Sequence, residues 1–340
     1  MSKVQFALTA KLLINMHDLN NERAEEIRRV PLIFQTKDGY RLISEAVAVS
    51  GVMLKHWHAV YLARRAEELG VKLCPLCRRG EAIRVPPPDA LSIEWLHTDE
   101  KTFEKYVKCL KEGTEEDLIE LCVGEDVHGF LRTEPMLRRE SLIKFSWLLP
   151  VCLEGIEMPP FRVIQHSRNI REIPKEAGEL RRMQMPYPRS YADGVYGFVS
   201  LCDLDLIGIA LTCRRQVIDY DERRRRQKAT LEAFIPMLTG AFGASLARSL
   251  PAVKPLEVVT IVSKEATIGF PAPVHPMYED YFQLNERLFR DFAKEFNADL
   301  LICAYGIGQP AKEGKIEIKI VNNPAEAIIT AIEYLGLNKV

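Results

Sequence analysis

At 340 residues the chain is long enough for two domains or one large decorated domain, and 47% apolar with 27% charged residues excludes a disordered, collagenous or disulfide-framework protein. A formal net charge of −1 excludes a protein that coats nucleic acid by bulk positive charge, so any such contact has to come from local basic patches. The longest uncharged apolar run, 145–153, is far short of the ~20 residues of a membrane span. With no signal-peptide pattern and eight scattered cysteines, the sequence reads as a soluble cytoplasmic protein without a membrane partner.

Val4, Phe6, Leu8, Ala10, Leu12, Ile14 and Met16 alternate with Gln5, Ala7, Thr9, Lys11, Leu13, Asn15 and His17. That period of two predicts a β-strand with one buried face and one largely polar face, either from a sheet with an open polar side or from an edge strand with ordinary solvent exposure. Residues 30–36 and 40–49 flank Asp38-Gly39, a hairpin signal. Ser50 then caps a helix to about Leu69 that Gly70 stops, with Met53, Trp57, Val60 and Arg64 in one stripe and Lys55, His58 and Arg65 off it. The character changes after Gly70: Cys74 to Cys77, a triple proline at 86–88 and short helices around 101–111 and 115–122 form an insertion. Residues 145–153 read as a buried strand or helix end, and 159–193 as a long weakly periodic stretch of the kind that is usually functional. Strands resume at 195–202 and 206–213. A helix after Asp221 follows, kinked or shortened by Pro236, and then an alternating strand at 257–263. A helix near 278–296, strands at 300–305 and 315–321 and a helix near 325–335 make a C-terminal extension. The order is ferredoxin-like, with material threaded into it. The fold class is therefore α+β, ferredoxin-like/RRM-like, with large inserted helical and loop subdomains. Its divisions are 1–73 and 194–265 for the two parts of that unit, 74–150, 151–193, and the extension 266–340.

Charge is uneven. Between Pro160 and Thr230 there are 14 Lys or Arg against 9 Asp or Glu, a local +5. Arg162, His166, Arg168, Arg171, Arg181, Arg182 and Arg189 interleave with Met183, Met185, Tyr187 and Tyr191. Cations neutralise phosphates while aromatic or methionine side chains stack on or wedge between bases; the same pattern also suits a solvated loop packing back on the body. Arg223 to Arg226 with Lys228 opens a helix, where positive charge is unfavourable, and reads as a solvated face, with a phosphate contact as the second reading. Ser50-Gly51 opens the first helix, as an N-cap or as a donor of free N–H groups to phosphate. Cys74 and Cys77 have metal-ligand spacing, but no second C-x-x-C exists; Cys109, Cys122 and His128 could complete a site in space, and free thiols are the other reading. No metal, cofactor or catalytic residue is assigned: His56 and His58 are two apart on a helix, and no G-x-S-x-G, H-E-x-x-H or P-loop occurs.

Several segments in order resemble the DevR-type autoregulator branch of the CRISPR-associated RAMP superfamily. They are 48–57 (AVSGVMLKHW), 126–131 (DVHGFL), 138–149 (RRESLIKFSWLL), 183–187 (MQMPY), 194–199 (GVYGFV), and 238–243 (LTGAFG) followed by Ala247-Arg248. That branch includes the backbone subunit of type I-A Cascade surveillance complexes. The resemblance spans about residues 4 to 262, and no single segment is diagnostic. Two departures stand out: no further basic residue lies between Gly243 and Arg248, and the glycine-rich loop of many RAMP proteins is not evident.

The resemblance implies a hand-shaped, non-catalytic subunit. Copies would line up along one CRISPR RNA as a homo-oligomeric filament, each thumb flipping a base at regular intervals, so that the exposed guide pairs with target DNA. Other implied partners are the remaining Cascade subunits: the 5′-handle capping subunit, the large and small subunits and the helicase-nuclease. RNA would run over Asn15 and His17 on the open sheet, over Ser50, Gly51 and Lys55 at the helix start, and past Arg248. At the thumb it would meet His166, Arg168, Arg181 and Arg182, with Met183 and Met185 as the wedge. A RAMP-type RNA-processing endonuclease using His17, His56 or His58 as general acid or base is the alternative. A DNA-binding autoregulator lacks a helix-turn-helix signature.

Overall fold

The computed structural model describes residues 3–19, 21–22, 26–36, 39–151, 161–166, 187–243, 246–247, 249–266, 270–307 and 316–340. Strand β1 (Lys3–His17) is followed by the hairpin strands β2 (Arg29–Thr36) and β3 (Gly39–Val47), which pair with Thr36 opposite Gly39. Helix α1 (Gly51–Glu68) begins where Ser50 Oγ accepts the Met53 N–H, and ends at Leu69 and the left-handed Gly70. Next come α2 (Glu100–Glu112), α3 (Glu115–Leu121) and α4 (Val123–His128), and the small hairpin β4 (Phe130–Thr133) with β5 (Met136–Arg139). Strands β6 (Ile143–Phe145), β7 (Leu149–Pro150), β8 (Phe161–His166) and β9 (Tyr187–Cys202) precede α5 (Tyr220–Glu232) and β10 (Ala252–Ala266). The chain continues through α6 (Tyr281–Glu295), β11 (Leu300–Tyr305), β12 (Ile316–Ile320) and α7 (Pro324–Tyr334).

The main sheet has β1 at its centre, antiparallel to β9 on one side and β10 on the other; β6 and β7 pair with the far edge of β9. With α1 and α5 as the two crossovers, this is the ferredoxin-like arrangement the sequence implies. The even face of β1 (Phe6, Leu8, Ala10, Leu12, Ile14) is buried against Leu54 and Leu62 of α1, Leu231 and Phe234 at the end of α5, and Ile328 of α7. Each such side chain contributes about 1.5–3 kcal/mol on burial, so this layer dominates the stability of the sheet. The insertion has its own core, in which Tyr106, Leu110, Leu118 and Phe130 meet Ala63 of α1. Its helices are well capped: Asp99 accepts the Thr102 N–H at 2.9 Å, and Thr114 with Asp117 forms a reciprocal capping box. Among the described residues no helix is long and apolar enough to cross a membrane.

Several expectations fail, each for a physical reason. Residues 206–213 are not a strand of the main sheet; they run from the end of the 3-10 turn Leu204–Leu206 into one arm of a two-residue ladder, Ile209–Ala210 with Arg215–Gln216, and the strand beside β9 is instead β6 with β7. The stretch 159–193 is not without structure at its ends, since β8 pairs with residues 187–192 of β9. The buried stripe on α1 is wider than expected: Val60 is buried and Met53 and Trp57 pack against the core, but Leu54, His58, Leu62 and Ala66 are buried as well, so His58 counts as an interior residue.

The odd face of β1 is not left bare either. Ala7 is buried with Phe282, Phe289 and Phe292 of α6, which pack on Val259, Ile261 and Ile302; Gln5 and Thr9 are buried too, and Gln5 donates to Asp205 at 2.9 Å. Lys11 pairs with Glu257 at 2.8 Å under the Tyr281 ring, and Pro276 presses on Gly197, where a Cβ would lie 2.9 Å from it. The extension therefore joins the sheet and roofs half of its second face. Only towards Asn15, which is exposed, does β1 regain an open polar side.

Candidate nucleic-acid interface

The outward-facing end of β1 is shaped by a bulge. Between Ile14 and His17 the register with β9 shifts, and Met16 takes a left-handed φ of 54°. Asn15 stays exposed while His17 is turned into the core, where its Nε2 lies 2.9 Å from the Tyr196 hydroxyl. Burial pushes the His17 pKa down to about 4, so it is neutral at physiological pH and does not reach the surface. That corrects its assignment to the RNA path. Beside Asn15, the Met16 N–H donates to Asp193 Oδ1 at 2.5 Å and the Ser249 hydroxyl donates to the Met16 carbonyl. Asn15, the root of the β8–β9 ribbon and the residue after Arg248 thus share one edge.

From that edge β9 overruns β1. Ala192 pairs with both His17 and Phe161, and beyond it, among the described residues, only β8 pairs with β9, as far as the pair His166–Tyr187. Arg162 lies opposite Tyr191 and Ile164 opposite Arg189, two pairs on one face of this ribbon. Residues 162–165 are all exposed. The ribbon therefore carries guanidinium, aromatic and aliphatic groups away from the body, the combination that suits phosphates and unstacked bases. Arg168, Arg181, Arg182, Met183, Met185 and Arg248 lie outside the described residues, and of His166 only the backbone is described.

The other predicted cluster sits at the start of α1. Ser50 is buried and spends its hydroxyl as a helix cap. At Gly51 a Cβ would stand 2.8 Å from the Ser146 carbonyl, so glycine lets the helix end approach the β6–β7 backbone. Lys55, one turn on, is half-buried on the rim of a depression of ≈ 480 Å³ that Arg84, His128, Gly129 and Ser141 also line. Desolvation and the nearby Arg84 bring the Lys55 pKa down to about 8, so the free protein holds two cations side by side where an anion would relieve both. Arg84 carries no sequence signal, because it stands isolated in a proline-bordered stretch with no periodicity to place it.

Two further histidines, His58 and His128, are arranged for packing, whereas His56 is exposed. His58 is fully buried with Nδ1 at 3.1 Å from His128 Nε2 and Nε2 at 2.9 Å from the Thr230 carbonyl; desolvation lowers its pKa to about 3. The arginine run on α5 is no solvated face. Arg223 donates to the Ile207 and Asp205 carbonyls, Arg224 to the Gly336 carbonyl, and Lys228 to the Val340 carbonyl at 3.0 Å. Arg226 is fully buried between Glu222 (2.6 Å) and Asp126 (2.9 Å). A feature with no sequence signal is the face of the β2–β3 hairpin on which Ile33, Leu42 and Tyr40 stand 60%, 68% and 79% exposed. Such apolar exposure on a two-stranded ribbon marks a contact surface.

A family model described as "CRISPR-associated negative auto-regulator DevR/Csa2" matches residues 8–286. The chain is 31% identical over 317 residues to a Methanocaldococcus jannaschii protein named "CRISPR-associated protein Cas7/Cst2/DevR", covering 88% of this chain and 92% of that one. It is 26% identical to "CRISPR-associated protein Cas7/Csa2 1" of Saccharolobus solfataricus, over 94% of this chain and 96% of the relative. A second protein of that organism, "CRISPR-associated aCascade subunit Cas7/Csa2 2", is 27% identical over 81% of this chain and 83% of its own length. In three dimensions the chain superposes on a chain of a "CRISPR RNA-guided surveillance complex, pre-nicking" with a TM-score of 0.54 at 11% identity, covering 97% of this chain and all of the other, a likeness of fold.

Proposed function

This chain belongs to the CRISPR-associated DevR/Csa2 family, and on that footing we propose that it is a CRISPR-RNA-binding backbone subunit of a Cascade-type surveillance complex. A relative of nearly the same length is named as an aCascade subunit, which supports carrying that role to this chain. The observation that carries the reading is the ribbon of β8 and β9, which leaves the sheet beside Asn15 and exposes Arg162 and Ile164 on the face shared with Arg189 and Tyr191. A guide strand crossing that edge meets cations for its phosphates and flat or aliphatic groups for its bases. The protein would read backbone and shape, while the guide reads the target DNA by pairing. Successive copies would assemble along one RNA, and the exposed Ile33–Leu42–Tyr40 face of the β2–β3 hairpin is an apolar surface that an adjacent copy could cover.

The subunit would bind RNA without cutting it. Supporting this, two of the three histidines considered for acid–base work, His17 and His58, are buried, hydrogen-bonded and neutral. The test is assembly on single-stranded RNA of increasing length. Bound mass should rise in steps with length, weaken with salt and leave the RNA intact. A single copy bound at every length would overturn the filament, and site-specific cleavage lost on His56→Ala would overturn the non-catalytic reading.

A further inference from the structure

The insertion brings three thiols and one carboxylate into contact range at its root. Cys74 and Cys77 bracket the helical turn Pro75–Arg78 that follows α1, while Cys122 caps α4 and Glu125 stands on its first turn. One ligand atom from each of the four lies within 4.8 Å of all the others, and all four residues are buried. Cys109 and His128, which the spacing left open as partners, are not in this group; His128 is engaged with His58.

We propose that Cys74, Cys77, Cys122 and Glu125 bind one structural zinc ion that staples the insertion to the end of α1. Tetrahedral zinc with sulfur ligands at ~2.3 Å sets sulfurs about 3.8 Å apart, so the four groups need to draw in by no more than about an ångström. Both halves of the donor set have the spacing that shared ligation needs. The C-x-x-C turn places two sulfurs on one side, and Cys122 with Glu125, three apart, share one face of α4. Two of the sulfurs already accept backbone N–H groups, Cys74 from Cys77 at 3.5 Å and Cys122 from Gly124 at 3.3 Å, an outer shell that favours thiolates and fixes their direction. Gly124 is required by the same approach, for a Cβ there would stand 2.6 Å from Cys77 Sγ.

Glu125 makes the strongest argument. Its side chain is fully buried and, although it accepts a backbone hydrogen bond from Val85 and feels the charge of Arg84, it forms no ion pair among the described residues; each carboxylate oxygen lies 4.0 Å from Cys74 Sγ. Nearby, by contrast, buried Asp126 is matched by Arg139 and Arg226. A buried acid among three thiols, without an ion-pair partner, is a poor structural arrangement and a good ligand set, since thiolates with one oxygen donor suit zinc. On binding, the protons held by the three thiols and by the Glu125 carboxyl leave to solvent and no electrons move.

The test is the metal content of the full chain purified without added metal. We expect one zinc ion per chain, resistant to dialysis, released when a mercurial reagent blocks the thiols and detected with a colorimetric zinc indicator. C74S, C77S and C122S should lose it, C109S should keep it, and E125Q should hold it but surrender it to a weaker chelator. Cobalt substitution should give the visible bands of a tetrahedral site with thiolate charge transfer, shifted in E125Q. Wild-type protein with no stoichiometric metal, a Cys74–Cys77 disulfide found by mass spectrometry, or iron with inorganic sulfide would each overturn the proposal. The wild-type measurement decides it even if every cysteine variant fails to fold.

Discussion

Arg226 on α5 and Arg162 on β8 carry the same guanidinium into opposite surroundings. Arg226 is the last of four consecutive arginines and lies at the centre of a buried network. Its Nη1 reaches Asp126 and the Ile119 carbonyl, and its Nη2 reaches Glu222. Asp126 also binds Arg139 at 2.8 Å, and Arg139 binds Glu115 at 2.6 Å. Glu115 in turn accepts the N–H groups of Leu211 and Thr212. The network thus ties the insertion to α5 and to the 206–212 segment. Arg162, on an exposed ribbon of alternating residues, lies among none of these groups. Both places are basic in the sequence; what separates them is whether the fold supplies acceptors. A run of charge is evidence for a ligand surface only after the acceptors that folding brings to it have been counted.

The largest effect should follow from attacking the first of these regions. Arg226→Ala leaves Asp126 and Glu222 buried and short of a cation, and breaking a buried pair in this way costs about 3–5 kcal/mol. Chemical denaturation should show that loss in R226A, whereas R162A should stay within about 0.5 kcal/mol of wild type, as exposed substitutions do. An R226A protein as stable as wild type would mean that the α5 run is solvated after all.

Lys55 falls between the two regions, half-buried yet facing outward, and its expected effect is intermediate. Its pKa of about 8 is depressed by desolvation first and by Arg84 second. The sign follows: below pH 8 the ammonium is charged and attracts phosphate, and as pH rises through 8 that attraction is lost. If the bound lysine stays charged, affinity per site should weaken about tenfold between pH 7 and pH 9. Lys55→Arg, which cannot titrate in this range, should flatten the profile while keeping binding. RNA affinity measured by fluorescence anisotropy across that range checks it, and an unchanged profile in K55R would remove Lys55 from the interface.

Much of this was legible in the chain itself, for reasons that differ by element. The alternation from Val4 to Met16 specified β1, because a long strand at the centre of a sheet repeats one constraint many times. Ser50 and Gly70 marked α1 almost to the residue, since caps act locally. The failures are all non-local. His17 looked outward by parity, and a one-residue bulge at Met16 reversed it. The polar face looked open until α6, more than 260 residues later, was laid over Ala7 and its neighbours Val259 and Ile302 in the sheet. Cys122-x-x-Glu125 carries the correct i, i+3 spacing for a second pair of ligands, but nothing in the spacing ties it to Cys74 and Cys77 across the insertion.

The smallest expected effect sharpens the comparison most, because it separates a ligand contact from a structural one. Each phosphate neutralised on a single strand contributes roughly 0.7 to the slope of log affinity against log salt. If Arg162 makes one such contact per bound copy, R162A should lower the slope by about that amount and weaken binding at physiological salt, with the unfolding curve unchanged. Arg226, enclosed by its own carboxylates, should leave the slope of whatever protein remains folded unaltered. Equal slopes for wild type and R162A would mean that the ribbon points its charge away from the RNA, and the guide would then have to run along the Lys55–Arg84 side of the molecule instead.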